Sequence, residues 1–141
     1  MEGFSLRLPA GLENLEQFIS FVSGQARQYG FDSLRLKEIE LCTEEALVNI
    51  FNYAYSEKTG DVVLTCRGDG DKGFIIEICD YGEPFDIDSI PTPEIDGDIS
   101  DRKVGGLGIY FIHRLIDEVI YRREGDMNIL TFIIYKKQSD T

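Results

Sequence analysis

Three clusters of side chains in this 141-residue chain have the types and spacing to do chemistry. The first is Glu38, Glu45, Asn49 and Asn52. At roughly 100° per residue, these four share a narrow sector of one helix. Their neighbours Ala46, Leu47, Val48, Ile50 and Phe51 are apolar almost all round, the mark of a buried helix. Asparagine is a poor helix-interior residue, so two of them near one turn ask for a reason. The stripe is either the helix's wet face or a place where a carboxylate and an amide oxygen meet one water or one hydrated cation. Mg²⁺ prefers such oxygen ligands and keeps several waters.

The second cluster is Gly105-Gly106-Leu107-Gly108, directly before a helical stretch. Free N–H groups at a glycine-rich helix start form an anion site, and the same glycines also suit a hinge. No Gly-Lys-Ser/Thr follows, so this is not a Walker loop, and Phe111 stands where a dinucleotide fingerprint needs its third glycine. The third is Asp80-Tyr81-Gly82-Glu83-Pro84-Phe85 at the end of an apolar run. An acid there is partly buried and needs a donor: its own turn, or the exocyclic amine of a base.

Other candidates are set aside. His113, the one histidine, sits among apolar neighbours and reads as a packing or surface residue. With a single histidine no Ser-His-Asp or Cys-His arrangement is available. The stretch from Asp96 lacks Gly at the sixth and Glu at the twelfth position of a calcium loop, where Asp101 and Leu107 stand. Cys42, Cys66 and Cys79 have no CxxC spacing and lie in apolar runs, so all three read as reduced core cysteines.

The elements that must hold these clusters follow from periodicity. Phe4–Pro9 alternates loosely and predicts a strand. Leu12, Leu15, Ile19, Val22 and Ala26 fall on one helical stripe, with Gly30 as the stop. Asp32 or Ser33 caps a second helix running to about Tyr55. Residues 61–67 and 74–79 predict a hairpin around the turn cluster 68–73. A third helix is expected over about 108–117, and a last hairpin joins 118–123 to 129–135. This order predicts an α+β fold, with helices on one face of a mostly antiparallel mixed sheet. The length predicts a single domain spanning 1–141. The segment Asp80–Asp101 carries eight acids, no Lys or Arg, and three of the four prolines, as a functional lid or a disordered insert would.

Fourteen basic against 26 acidic residues give a net charge of −12. Such a field disfavours direct nucleic-acid and anionic-membrane binding and favours a basic protein partner or a metal-complexed anion. No apolar run approaches the roughly 20 residues of a membrane helix, and no signal peptide is visible at the start, so the expected location is cytoplasmic.

In order, Glu45-Ala-Leu-Val-Asn49, Asp80-x-Gly82-x-x-Phe85-Asp86 and Gly105-Gly-Leu-Gly108 resemble the N box and the two glycine boxes of the GHKL ATPases. Ala46–Tyr55, Gly105–Ile109 and Leu115–Val119 resemble the small anti-sigma-factor serine/threonine kinases of that superfamily. The resemblance covers nearly the whole chain and implies a two-layer Bergerat sandwich. It implies ATP and Mg²⁺ as cofactors, with Asn49 as metal ligand and Glu45 as the general base. It places Asn52 near the phosphates, Asp80 on the adenine amine, Gly82 where backbone approaches the ring, and Thr131 in support of the adenine pocket. Gly105, Gly106, Leu107 and Gly108 would cradle phosphates under an ATP lid at about 86–104. Two departures stand out. Pro84 replaces the second glycine of its box, and Val104 stands where relatives often have arginine, which leaves Arg102 for the γ-phosphate or the partner. The implied activity is phosphorylation of an anti-anti-sigma (STAS-type) protein, the implied target a sigma factor or similar protein, and the implied assembly a homodimer. The alternative is a non-catalytic, nucleotide-gated binding module that sequesters a partner.

Overall fold

A computed structural model describes residues 3–70, 73–89 and 106–136. The first strand, β1 (Phe4–Pro9), leads through a single 3-10 turn (Leu12–Asn14) into α1 (Leu15–Tyr29). Leu12 is exposed, so the apolar stripe of α1 begins only at Leu15. Gly30 ends α1 at φ 114°, a conformation that side chains rarely tolerate, and its N–H donates to the carbonyls of Ala26 and Arg27 at 3.2 and 3.1 Å. Asp32 then caps α2 (Ser33–Asn49), its carboxylate accepting from the Arg35 N–H at 2.8 Å.

The helix does not stop at Asn49. It widens into a π-helical turn (Ile50–Ala54), closed by the Tyr55 N–H donating to Ile50 O at 3.2 Å. After it come β2 (Asp61–Asp69), β3 (Gly73–Asp80), a 3-10 turn (Ile87–Ser89), α3 (Gly106–Leu115), β4 (Glu118–Glu124) and β5 (Met127–Tyr135).

The strands form one sheet in the order β1-β2-β3-β5-β4, antiparallel at every pairing. The α+β expectation holds, but the expected mixed sheet contains no parallel pair among the described strands. Both hairpins form where alternation predicts them.

The register decides which face each side chain occupies. Ile76 pairs with Cys66 and Phe132, and Ile78 pairs with Leu64 and Leu130. These residues are buried in one core with Phe18, Val22, Ile39, Leu47 and Ile112 of the three helices. The alternate residues face away. Glu77 pairs with Thr65 and Thr131, and Thr131 with Ile120, which is exposed. Cys42 and Cys66 lie in the core, where burial pushes both thiols up to about 12. Cys79 departs from the core-cysteine expectation. It is half-buried on the outer face, 3.5 Å from the Met127 sulfur.

Helix α3 is tied at its C-terminal end. Arg35 of α2 donates to Leu115 O at 2.7 Å, to Glu38 at 2.9 Å and to Asp117 at 3.2 Å, and Asp117 also accepts from the Tyr135 N–H at 2.8 Å. Glu38, one member of the predicted chemical stripe, is therefore paired with the arginine that ties α2 to the end of α3.

A one-sided core predicts a contrast measurable by urea unfolding. Phe132→Ala, on the helix face, should cost about 3–5 kcal/mol. Ile120→Ser, on the outer face, should stay within about 0.5 kcal/mol. Comparable losses at the two positions would contradict the layer assignment.

Candidate functional site

β3 is apolar on its inner face until its last residue, so chain geometry carries a carboxylate into the core. Asp80 is 1% exposed. Burial pushes its carboxyl pKa up, and hydrogen bonds from Asn128 and the Gly82 N–H, with the charges of Arg123 and Lys58, pull it back. The bonds are short: Gly82 N donates to Oδ1 at 2.8 Å and Asn128 Nδ2 donates to the same oxygen at 2.9 Å. Oδ2 makes no hydrogen bond among the described residues.

Asn128 follows from register, since it is the β5 partner of Asp80. Its Oδ1 accepts from Phe85 N at 3.1 Å, Tyr121 OH at 2.7 Å and Arg123 Nη1 at 3.2 Å. Its Nδ2 donates to Asp80 and, at 2.7 Å, to Glu83 O. Arg123 also donates to Gly82 O at 2.9 Å. These bonds pin the Gly82–Phe85 segment to β4 and β5. Neither Asn128 nor Arg123 was singled out from sequence. The available signal was the two-residue alternation of β5, which places position 128 on the same face as Leu130 and Phe132.

The carboxylate opens on a small apolar cavity lined by Ala46 of α2, Ile50 of the π-helical turn, Ile87 and Leu130 of β5, with Phe85 and Tyr121 also in its wall. Its free volume is about 10 Å³, about one water. Phe85 stacks on Tyr53 with centroids 5.3 Å apart and planes 7° from parallel.

Thr131 requires a correction. It pairs with Glu77 and Ile120 and so lies on the outer face, across the sheet from Asp80. It cannot line a pocket on the helix face. Its hydroxyl is the one buried side-chain polar atom without a hydrogen-bond partner among the described residues. Gly82 is close to backbone, as expected of a glycine there, but the neighbour is protein. A Cβ at Gly82 would overlap Ala54 of the π-helical turn, whose carbonyl accepts from the Glu83 N–H at 2.8 Å.

Glu45 is half-buried on α2, and burial followed by the neighbouring charge of Glu44 raises its pKa. Its carboxylate rests against Gly108 in the first turn of α3, where any Cβ would overlap it. The absence of a side chain at 108 thus lets α2 and the start of α3 touch. Asn49 is buried, and its Nδ2 donates to Glu45 O at 2.7 Å, which leaves Oδ1 as the atom available to a cation. Among the described residues no three His, Cys, Asp or Glu side chains could hold a metal ion. An Asn49 amide oxygen fits Mg²⁺, which binds through few protein ligands and the oxygens of its nucleotide.

Asn52 lies in the π-helical turn and is exposed, because the regular helical wheel that aligned it with Glu45 and Asn49 ends at Asn49. Gly106 and Leu107 open α3. Arg102, Gly105 and most of the expected lid at 86–104 lie outside the described residues. His113 meets Asp88 at 2.6 Å, joining α3 to the 3-10 turn. No described helix is long and apolar enough to cross a membrane.

The family model of the histidine kinase-like ATPase domain matches residues 8–134. The serine-protein kinase RsbW of Listeria innocua is 29% identical over 140 residues, 95% of this chain and 88% of that protein. The serine-protein kinase RsbW of Bacillus cereus strain B4264 is 26% identical over 142 residues, 97% and 88% of the two chains. Among solved structures, the RsbU and RsbW domains of Rv1364c from Mycobacterium tuberculosis share the fold. The TM-score is 0.66 at 14% identity over 96% of this chain, which spans 32% of that one. The histidine kinase domain of a blue-light activated kinase from Erythrobacter litoralis gives a TM-score of 0.53 at 16% identity, with 85% and 60% coverage.

The raised carboxyl of Asp80 carries a stability prediction. An acid with a higher pKa folded than unfolded binds more protons in the folded state between those values, so its contribution falls as pH rises through that window. Asp80→Asn keeps an acceptor oxygen for Gly82 and Asn128 and removes that loss. Thermal melts across about pH 4 to 8 should show the variant at least as stable as wild type near neutrality, with the advantage shrinking toward acid. A clearly lower melting temperature at neutral pH would refute this account of the buried carboxylate.

Proposed function

The chain belongs to the histidine kinase-like ATPase domain family, and from that premise we propose that it is a single-domain, Mg-ATP-dependent serine/threonine protein kinase and anti-sigma-type regulator. Its substrate is an anti-anti-sigma (STAS-type) protein, and its other partner is a sigma factor or similar target. The reading places it in the cytoplasm, as a homodimer. Support comes from relatives named serine-protein kinases that align along 88% of their own length.

The observation that carries the reading is that adjacent residues of α2, Glu45 and Ala46, border two features. A buried carboxylate keeps one oxygen without a protein partner at an apolar cavity, and a second carboxylate rests at the glycine start of α3. In this reading Asp80 accepts the exocyclic amine of adenine, and Ala46, Ile50 and Leu130 enclose the ring. Gly105, Gly106, Leu107 and Gly108 offer N–H groups and the α3 dipole to the phosphates. Asn52 would serve the phosphates, and Arg102 the γ-phosphate or the partner. Asn49 holds Mg²⁺, which offsets phosphate charge.

Glu45 takes the proton of the attacking serine or threonine hydroxyl. The new bond forms between that oxygen and the γ-phosphorus, the bond to the bridging oxygen breaks, and ADP leaves. Such transfer needs positioning and charge stabilisation more than covalent chemistry from the protein. A base with a raised pKa holds the transferred proton more firmly than an ordinary carboxylate.

The test is a thermal shift with excess Mg-ATP, followed by transfer of labelled phosphate to a STAS-type protein. Wild type should gain several degrees, since ligand at about a hundred times its dissociation constant adds roughly 2.7 kcal/mol. Asp80→Asn should lose that gain. Glu45→Ala should keep it while transfer falls by about 10²–10⁴-fold. Because the base must be ionised, wild-type transfer should decline as pH is lowered, starting above the ordinary carboxylate range. Nucleotide binding without any transfer would turn the reading toward sequestration alone, and intact transfer in Glu45→Ala would remove Glu45 as the base.

A further inference from the structure

We propose that Asn128 is the residue that makes this pocket select a 6-aminopurine over a 6-oxopurine, acting as a positioning residue on Asp80. The inference rests on the nucleotide-binding reading above and extends it to a residue that motif matching does not reach.

The side-chain amide of Asn128 has a single possible orientation. Three donors, Phe85 N, Tyr121 OH and Arg123 Nη1, converge on its oxygen, and two acceptors, Asp80 Oδ1 and Glu83 O, face its nitrogen. Turning the amide over would set N–H groups against two obligate donors, Phe85 N and Arg123 Nη1, and an oxygen against two acceptors. At 3% exposure, no water can rescue the wrong orientation. Asn128 is therefore a fixed donor aimed at one oxygen of Asp80.

That fixed donor divides the carboxylate into two unlike oxygens. Oδ1 is saturated by Asn128 Nδ2 and Gly82 N. Oδ2 is the atom left for a ligand, and its character depends on ionisation. As carboxylate it accepts, which fits the amine of a 6-aminopurine. As carboxylic acid the proton resides on Oδ2, because two N–H groups already point at Oδ1, and the pocket then offers a donor that fits a 6-oxo group. Desolvation favours the acid. The Asn128 and Gly82 hydrogen bonds favour the carboxylate, as do the charges of Arg123 on β4 and Lys58 beyond the π-helical turn. Tyr55 and Tyr121 are the other polar groups nearby, and both hydroxyls already donate elsewhere, to Asp61 O and Asn128 Oδ1. Of these supports, Asn128 is the side chain bonded directly to Asp80.

The test compares affinities for ATP and ITP, which differ at purine position 6, by calorimetry on the full chain. Wild type should favour ATP by about 10²-fold or more, as sites built around a specific hydrogen bond do. Asn128→Ala should weaken ATP by about 10- to 100-fold while weakening ITP much less, so that the ratio falls to about 10 or below. A residue that merely shaped the pocket would lower both affinities together and leave the ratio alone. Should Asn128→Ala fail to fold, Asn128→Ser, too short to reach Asp80, carries the same expectation. Arg123→Gln should move the ratio in the same direction by less. An unchanged ratio in a folded Asn128 variant that still binds ATP overturns the proposal and leaves the nucleotide reading intact. Absence of ATP binding by wild type overturns both.

Discussion

Burying one carboxylate is the constraint around which the rest is arranged. A charge at 1% exposure is costly unless hydrogen bonds satisfy it, and Asp80 has two donors on one oxygen. One is local, the Gly82 N–H two residues on. The other depends on tertiary structure, because Asn128 reaches Asp80 only when β5 lies beside β3 in this register. Asn128 in turn is held by Tyr121 and Arg123 of β4, so the strand order β3-β5-β4 is also the order of the network that keeps the charge in place. The fold and the candidate site rest on the same hydrogen bonds.

Helix α2 is the other organising element. It borders the cavity through Ala46 and meets the start of α3 through Glu45, which rests against Gly108. Arg35 near its beginning ties down the far end of α3 through Leu115 O and Asp117. One helix thereby sets both the position of α3 and the group its N-terminus faces. The π-helical turn that extends α2 brings Ala54 against Gly82, so the backbone after β3 is braced on one side by Ala54 and on the other by Asn128 and Arg123. The cavity itself is nearly filled, and Phe85 in its wall is stacked on Tyr53.

Sequence alone determined what depends on neighbours along the chain. Alternation over Phe4–Pro9 and over both hairpins set the strands, Gly30 and Asp32 set the break between α1 and α2, and an acid at the end of an apolar strand marked Asp80 as a buried charge needing a donor. Tertiary structure alone decided what depends on register and on departures from regular geometry. The family resemblance implies Thr131 in support of the pocket, yet pairing with Glu77 puts it on the opposite face, because a single residue's displacement along a strand exchanges the two faces. The same pairing delivers Asn128 to Asp80, a partner 48 residues away that no local pattern names. Asn52 is exposed in the π-helical turn, beyond the regular helix from which the stripe was reckoned, and Glu38 is paired with Arg35. Periodicity is a property of one segment, whereas the donor for a buried charge is chosen by the segment packed beside it.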